Sequence, residues 1–475
     1  MLKKVQIIFL GLGMLICMLP FLGMVFHPTE ETTDNRKQAE YPSLTTKEGK
    51  LNTDYPSQLE KWFDDHFFLR NEMIYADSMI QGKIFGTSAV ENVIYGTDGW
   101  LYYTSTLGDY LGTERMTERE VSMLSHNLSL ICNWAEAKGI TPVLAVPPNK
   151  NTLYGEHMPY YDSLKVDPAH TLEQLPSVCE EIGLPYADLY GVFRDQEEVL
   201  YLKRDSHWNN KGAVLACDAI LDKTGAAYTS FADAEVTRSK DSVGDLDQML
   251  YTFYGEPEMN YHYAVPQTFT YETQTKSVED AWIATTCEGK KGTLLMFRDS
   301  FGNTLLEQMA EQFGRAVFTK ESPYRLQKVV REQQPDTLII EKVERNLKDF
   351  ITEPPIVDAA EFGPPPSVED ITLCDKRKTD PKDFETELST SPYDPDLYRL
   401  SGRIPEDMAE GMVYTDTEIC LKINGKLYSA YQTRENGFCL YLNRQQFSEA
   451  AMEVQVILIN RNENILVGEL TVDPE

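Results

Sequence analysis

The sequence predicts an α/β protein: a mostly parallel sheet with helices on both faces, followed by a small C-terminal β-sandwich. Three observations predict it. The short apolar runs Thr141-Pro-Val-Leu-Ala-Val146, Thr293-Leu-Leu-Met-Phe297 and Thr337-Leu-Ile-Ile-Glu341 suit strands buried on both faces. Segments of helical periodicity alternate with them. Beyond about residue 390 the helical pattern stops, and short strand-like runs with an Asn424-Gly425 turn take over.

Taken in order, the chain opens with Lys3 and Lys4 ahead of Val5 to Phe26, a run without a charged side chain. That length suits one bilayer crossing as a helix. The two lysines before it, and Glu30, Glu31 and Asp34 after it, place the N-terminus in the cytoplasm and the rest outside. A retained anchor is preferred to a cleaved signal peptide, because the apolar run exceeds a typical signal core and no Ala-x-Ala site follows. Residues 28–54 are polar and read as a stalk.

From Tyr55 the spacing of Leu59, Trp62, Phe63 and Phe67 is helical. Asp64-Asp65-His66 within it reads as a solvated helix surface rather than a metal site. Val93 to Tyr103 carries a Gly-Thr-Asp-Gly turn between strand-type residues and predicts a hairpin. Thr117-Glu-Arg-Glu120 is a capping box for a helix to about Ala137, with Gly139 as its stop. The strand at 141–146 runs into Pro147-Pro-Asn-Lys-Asn-Thr-Leu-Tyr154, a polar loop at the strand edge where open α/β sheets bind ligands. A helix near 170–182 leads to a strand at Pro185–Leu189. A strand-like approach over 196–203 then precedes Arg204-Asp-Ser-His-Trp-Asn209 and a further helix.

Gly244 to Leu250 reads as a short helix or lid, and 258–286 alternate like strands. Strand Thr293–Phe297 is followed by a polar turn, then Leu305, Leu306, Met309 and Phe313 at helical spacing. The predicted divisions are an anchor (1–27), a stalk (28–54), an α/β domain (55–352), a proline-rich linker (353–392) and a β-sandwich (393–475).

Acidic residues number 75 against 44 basic ones. That balance argues against nucleic acid and against a polybasic membrane contact. The eight cysteines form no Cys-x-x-Cys pair, so a zinc or redox centre has no support. Cys420 and Cys439 fall in two predicted strands of one domain, where a bridge is open. No metal cluster and no phosphate loop is read from the chain.

Ser300 occupies the turn of the strand–turn–helix, a geometry that exposes a nucleophile and aims backbone N–H groups at its substrate. It needs a base held by a carboxylate. Among seven histidines, His207 with Asp205 two residues before it, on a loop, is the best pair. The Ser300 N–H is the first choice of oxyanion donor. Asn303, Lys150 and Arg345 are second candidates for that role or for sugar contacts.

Asp205-Ser-His-Trp208 together with Phe297-Arg-Asp-Ser-Phe301 resembles the SGNH hydrolase-like proteins of the AlgX/AlgJ and DHHW type. The segments Tyr95 to Tyr102, Phe63-Asp-Asp-His-Phe67 with Arg70, Pro147 to Lys150 with Tyr154, Gly244-Asp-Leu246 and Glu344-Arg-Asn346 are similar to that family's, in order, over about residues 55–350. The resemblance implies an SGNH-like (flavodoxin-like) fold and extracytoplasmic polysaccharide O-acetylation. Ser300 would be the nucleophile, His207 the base and Asp205 its orienter, with Tyr154 among the substrate contacts and no cofactor. It further implies a polysaccharide acceptor and a membrane-embedded acyltransferase as donor partner. Arg298 stands where the family usually has glycine, and Ser206 where it has a second histidine. A carbohydrate acetyl esterase and a non-catalytic glycan-binding module are the alternative readings, the latter resting on Arg298.

Overall fold

Alternation along each buried strand sorts its side chains to two sides. Leu295 and Phe297 join one core with Leu144, Val317, Leu338 and Ile340. Leu294 and Met296 join another with Val143, Ala316, Phe318 and Ile339. A sheet that is apolar on both faces has to be covered on both, and it is. The computed structural model describes residues 2–26, 39–46, 49–251, 255–361, 371–373, 386–405, 417–447, 451–459 and 464–472. The stalk residues up to 38 and the Pro364–Pro366 run lie outside the described residues.

The central sheet has seven strands: β1 (Thr141–Ala145), β2 (Tyr186–Ala187), β3 (Phe269–Tyr271), β4 (Trp282–Cys287), β5 (Thr293–Phe297), β6 (Arg315–Thr319) and β7 (Thr337–Glu341). Their order is β2-β1-β7-β5-β6-β4-β3. The first five run parallel, and β4 and β3 add an antiparallel edge. Helices α1 (Glu118–Glu136), α2 (Leu175–Ile182) and α4 (Leu326–Gln333) cover one face. Helix α3 (Asn210–Thr224) and the turns after Ser300 cover the other. The fold is therefore the mixed α/β architecture that the sequence predicts.

The predicted capping box is formed: Thr117 Oγ1 accepts from the Glu120 N–H, and Glu120 accepts from the Thr117 N–H. The hairpin Val93–Tyr95/Leu101–Tyr103 turns through Asp98 and Gly99, both with positive φ. Several details differ from expectation. Residues 196–203 form no strand beyond a bridge between Tyr201 and Trp208. The helix after Ser300 is a 3-10 turn (Phe301–Leu305) followed by one short α segment (Leu306–Ala310). Asp65 is not on a solvated surface; it is buried and accepts from the Ala39 N–H at 2.8 Å.

Two sheets, antiparallel except for the parallel pairing of 371–373 with 464–466, form the C-terminal β-sandwich, with Leu400, Leu440, Leu421 and Val456 between them. Strands at 371–373 and 386–390 lie within the stretch expected to be a linker. The sandwich shares a core with the α/β domain through Leu397, Tyr431 and Tyr441. Cys420 and Cys439 are free and buried in different clusters, so the expected option of a bridge is not realised.

Helix Leu2–Phe26 is long and apolar enough, over Gln6–Met24, to cross a membrane. Its last turns meet the helix Tyr55–His66, with the Phe21 and Phe63 rings stacked at 4.5 Å.

Candidate active site

Ser300 follows the C-terminal end of β5, between β7 and β6, at the edge where parallel sheets place their chemistry. The turn is fixed by Asp299. Its carboxylate accepts the Phe301 N–H (2.9 Å) and the Val343 N–H (2.8 Å), tying the end of β5 to the segment after β7. The Asp299 N–H in turn donates to Glu341 at 2.9 Å. Burial, and then the charge of Asp299, push the Glu341 carboxyl well above the carboxylate range beneath the turn. Gly302 is required here. A Cβ on it would lie 2.7 Å from Arg298 Cβ and 2.9 Å from Glu341 Oε2.

His207 arrives on a different loop, the one closed by the Tyr201–Trp208 bridge just ahead of α3. Asn209 caps α3, its side chain accepting from the Gly212 N–H. The His207 Nε2 lies 2.7 Å from Ser300 Oγ, and its Nδ1 lies 2.7 Å from Asp205 Oδ1. The same Asp205 oxygen accepts the His207 N–H at 2.8 Å. Phe301 packs against the imidazole, with ring centres 4.7 Å apart. Serine, imidazole and carboxylate thus stand in hydrogen-bonded series. Sequence reasoning singled out all three, and the fold brings them together.

The electrostatics favour an ionised Asp205. Burial works against its charge, but hydrogen bonds from the His207 ring and backbone and from the Asp245 N–H outweigh it. The carboxyl titrates at about 2. Burial likewise opposes an imidazolium at His207, yet the bond to Asp205 and the charges of Asp205, Asp245 and Asp299 raise its pKa above the usual value.

Asp245 is the neighbour that sequence reasoning left without a role. It accepts the Ser206 N–H (2.7 Å) and Ser206 Oγ (2.5 Å), while its own N–H donates to Asp205 Oδ2 (3.0 Å). The signal was Gly244: a side chain there would collide with the Arg204 carbonyl, so only glycine lets the Asp245 segment reach the Asp205 loop. Among the described residues, Asp205, His207 and Asp245 are the group whose donor atoms cluster closely enough to suit a metal. All four carboxylate oxygens already accept hydrogen bonds from the loop itself, which suits the orientation of an imidazole rather than ligation.

The remaining predicted contacts divide. Lys150 is buried, and its ammonium donates to the carbonyls of Leu202 (3.2 Å), Lys203 (3.0 Å) and Asp205 (2.5 Å). It therefore holds the His207 loop rather than facing substrate. Tyr154 is engaged too, its hydroxyl accepting the Leu200 N–H at 2.8 Å. Asn303 is buried, with its amide nitrogen 2.6 Å from Glu279 Oε1 and its oxygen bonded by Arg298. Arg345 lies over the rings of Tyr103 and Phe301, the latter at 5.9 Å, which keeps it beside the serine turn. The Ser300 N–H makes no hydrogen bond among the described residues, leaving it available to an oxyanion.

Arg298 departs from expectation in the other direction. The effects expected of a bulky cation here are a narrowed turn or a charge beside the site; the guanidinium instead turns to the neighbouring loop. Its guanidinium is buried and runs sideways, to Asn303 Oδ1 and to the carbonyls of Val278 (2.8 Å) and Asp280 (3.1 Å).

Comparison with known proteins agrees with this picture. Residues 93–316 match the family model described as SGNH hydrolase-like domain, acetyltransferase AlgX. No curated protein matches the chain. Among solved structures it is similar to PatB1 of Bacillus cereus, at 16% identity over 54% of this chain and 96% of that one, with a TM-score of 0.41. A DHHW family protein from Eubacterium siraeum is 15% identical over 47% of this chain and 85% of its own, with a TM-score of 0.37. The O-acetyltransferase domain of Pseudomonas putida AlgJ is 15% identical over 54% and 92%, with a TM-score of 0.36. These structural likenesses are distant, and the assignment rests on the family match. From Val93 to Ala316 the chain is similar to the family described as SGNH hydrolase-like domain, acetyltransferase AlgX.

Proposed function

We propose that this protein is a membrane-anchored, extracytoplasmic O-acetyltransferase that moves acetyl groups onto a polysaccharide through an acetyl-Ser300 intermediate. The observation that carries the reading is the hydrogen-bonded series from Ser300 Oγ through His207 to Asp205, each link 2.7 Å. Neutral His207 accepts the Ser300 proton at Nε2 as Oγ attacks the acetyl carbonyl. The Ser300 N–H, without a hydrogen bond among the described residues, is the donor available to the oxyanion. The imidazolium, held by Asp205, then protonates the departing group of the donor. In the second half the glycan hydroxyl attacks the acetyl-serine, gives its proton to His207, and Ser300 leaves with that proton as a free hydroxyl.

The Leu2–Phe26 helix supports an anchor, and Lys3 and Lys4 ahead of its apolar span Gln6–Met24 support an orientation with the N-terminus in the cytoplasm. A membrane-embedded acyltransferase is the donor partner that fits this placement. The proposed divisions are the anchor, the α/β domain to about residue 352 and the β-sandwich docked on α1.

The test uses the full chain in detergent with p-nitrophenyl acetate, followed by intact-mass analysis. The expected result is an acetyl adduct in the wild type that is absent in Ser300→Ala, and faster loss of the adduct when an oligosaccharide is added. No adduct, with hydrolysis equal in Ser300→Ala, would sink the reading. An adduct whose loss no sugar accelerates would convert it to an acetyl esterase.

A further inference from the structure

Arg298 and the loop it grips have no part in the triad, yet both are linked to the serine turn through Asn303. Residues 275–281 join β3 to β4 and form a turn that holds itself. Lys276 N–H donates to Asp280 Oδ2 at 2.7 Å, Glu279 N–H to Ser277 Oγ at 3.1 Å, and Asp280 N–H to the Ser277 carbonyl at 3.2 Å. Three further links fix it against the site. Arg298 donates to the Val278 and Asp280 carbonyls. The Lys320 N–H donates to the Ala281 carbonyl at 2.9 Å. Glu279 takes the amide of Asn303, and Asn303 is itself one turn from the nucleophile, its N–H 3.2 Å from the Ser300 carbonyl.

We propose that this loop is the acceptor-side wall of the site, and that Glu279, positioned by Arg298, selects neutral or amine-bearing glycans over polyuronates. The inference rests on the acetyltransferase reading and names its acceptor class. Glu279 is the exposed carboxylate of the wall, with 66% of its side chain accessible despite its bonds to Asn303 and Lys320 (2.6 Å each). A carboxylate with two partners keeps free lone pairs for a sugar hydroxyl or ammonium. Of the cations nearby, Lys320 is committed to Glu279, Arg298 to the loop and Lys150 to three carbonyls, while Arg345 lies against the Tyr103 and Phe301 rings. Asp245 adds a second partly exposed carboxylate beside His207. A uronate brought against this wall meets the like charge of Glu279, which discriminates by repulsion as well as by contact. Arg298 is the positioning residue, since its planar fork reaches two carbonyls and Asn303 at once. A lysine could not reproduce that geometry.

The experiment measures binding to the full chain carrying Ser300→Ala, so that it does not depend on acetyl transfer. The probes are chitotetraose, its fully deacetylated amine counterpart and tetragalacturonate, each titrated at low and high salt. The expected affinity order is amine, neutral, uronate. Glu279→Gln in the same background should narrow the amine-to-uronate ratio at least fivefold, and high salt should narrow it in the parent. Arg298→Lys should do the same while raising amide exchange at 276–281 about tenfold. Uronate binding equal to or tighter than amine, an unchanged ratio in Glu279→Gln, or no binding of any probe would overturn the proposal. A missing acetyl adduct would overturn the acetyltransferase reading instead.

Discussion

Trp208 Nε1 donates to Thr304 Oγ1 at 2.6 Å, joining the loop of the base to the turn of the nucleophile across 96 residues of sequence. The indole is buried and meets Phe301 edge-on with ring centres 5.0 Å apart. The distance between His207 and Ser300 is thus set by a pair of residues that do no chemistry. Thr304→Val preserves the shape and strands a buried donor, at a cost of about 1–3 kcal/mol. Because small misplacements of reacting groups are costly, acetyl-enzyme formation should slow by about tenfold. Stopped-flow bursts with p-nitrophenyl acetate check this, and an unchanged burst rate would show that the bond does not align the site.

The pairing of Asp205 with His207 predicts a pH profile. His207 acts as a base only when neutral, and its pKa is raised. The rate should climb with pH through a midpoint above the usual imidazole range. Asp205→Asn removes the charge that raises it, so the midpoint should move to lower pH while the plateau falls about a thousandfold. The stability from the same pair, whose carboxyl titrates at about 2, is present above about pH 4 and fades as pH falls toward that value. A midpoint that stays put in Asp205→Asn would contradict the coupling.

Glu344 gives the opposite dependence. It is fully buried, and one oxygen accepts both the Asn149 N–H (2.8 Å) and the Thr152 hydroxyl (2.7 Å). Burial raises its carboxyl to about 7, against about 4.3 in an unfolded chain. Between those values the folded protein keeps a proton that the unfolded chain has lost, so stability falls as pH rises. The loss by pH 8 is on the order of 3 kcal/mol. Glu344→Gln retains an oxygen for both donors and removes the titration. Denaturation at pH 5 and pH 8 should show the variant gaining on the wild type at the higher pH. A constant difference would mean that Glu344 does not carry the effect.

Asn127 stitches the α/β domain to the β-sandwich. Its amide donates to the carbonyls of Phe350 (2.7 Å) and Gln432 (2.9 Å), and its oxygen accepts the Gln432 N–H (2.8 Å), all buried. His126 beside it reaches the Ala430 carbonyl at 2.9 Å. With a shared core as well, the two regions should melt in one calorimetric transition. Asn127→Ala leaves three backbone groups unpaired and should cost about 2–4 kcal/mol. Two separated transitions in the wild type would refute the shared unit.

The sequence by itself determined the strands of the central sheet, because residues buried on both faces must be apolar in continuous runs. Thr293–Phe297 and Thr337–Glu341 have the predicted bounds. It also determined the capping box at Thr117 and the hairpin at Asp98-Gly99, whose signals are local. Ser300, His207 and Asp205 were readable as residue types in suggestive settings. Only the tertiary structure decided that they meet, since contact across 93 residues depends on strand order. Tertiary structure also decided which polar side chains are spent inside the protein. Lys150 and Asn303 are substrate-facing types by composition, yet burial obliges each to satisfy backbone or carboxylate partners. Arg298 shows the same limit most clearly. A charge beside a nucleophile says nothing of its direction, and packing turned this one away from the serine and into the neighbouring loop.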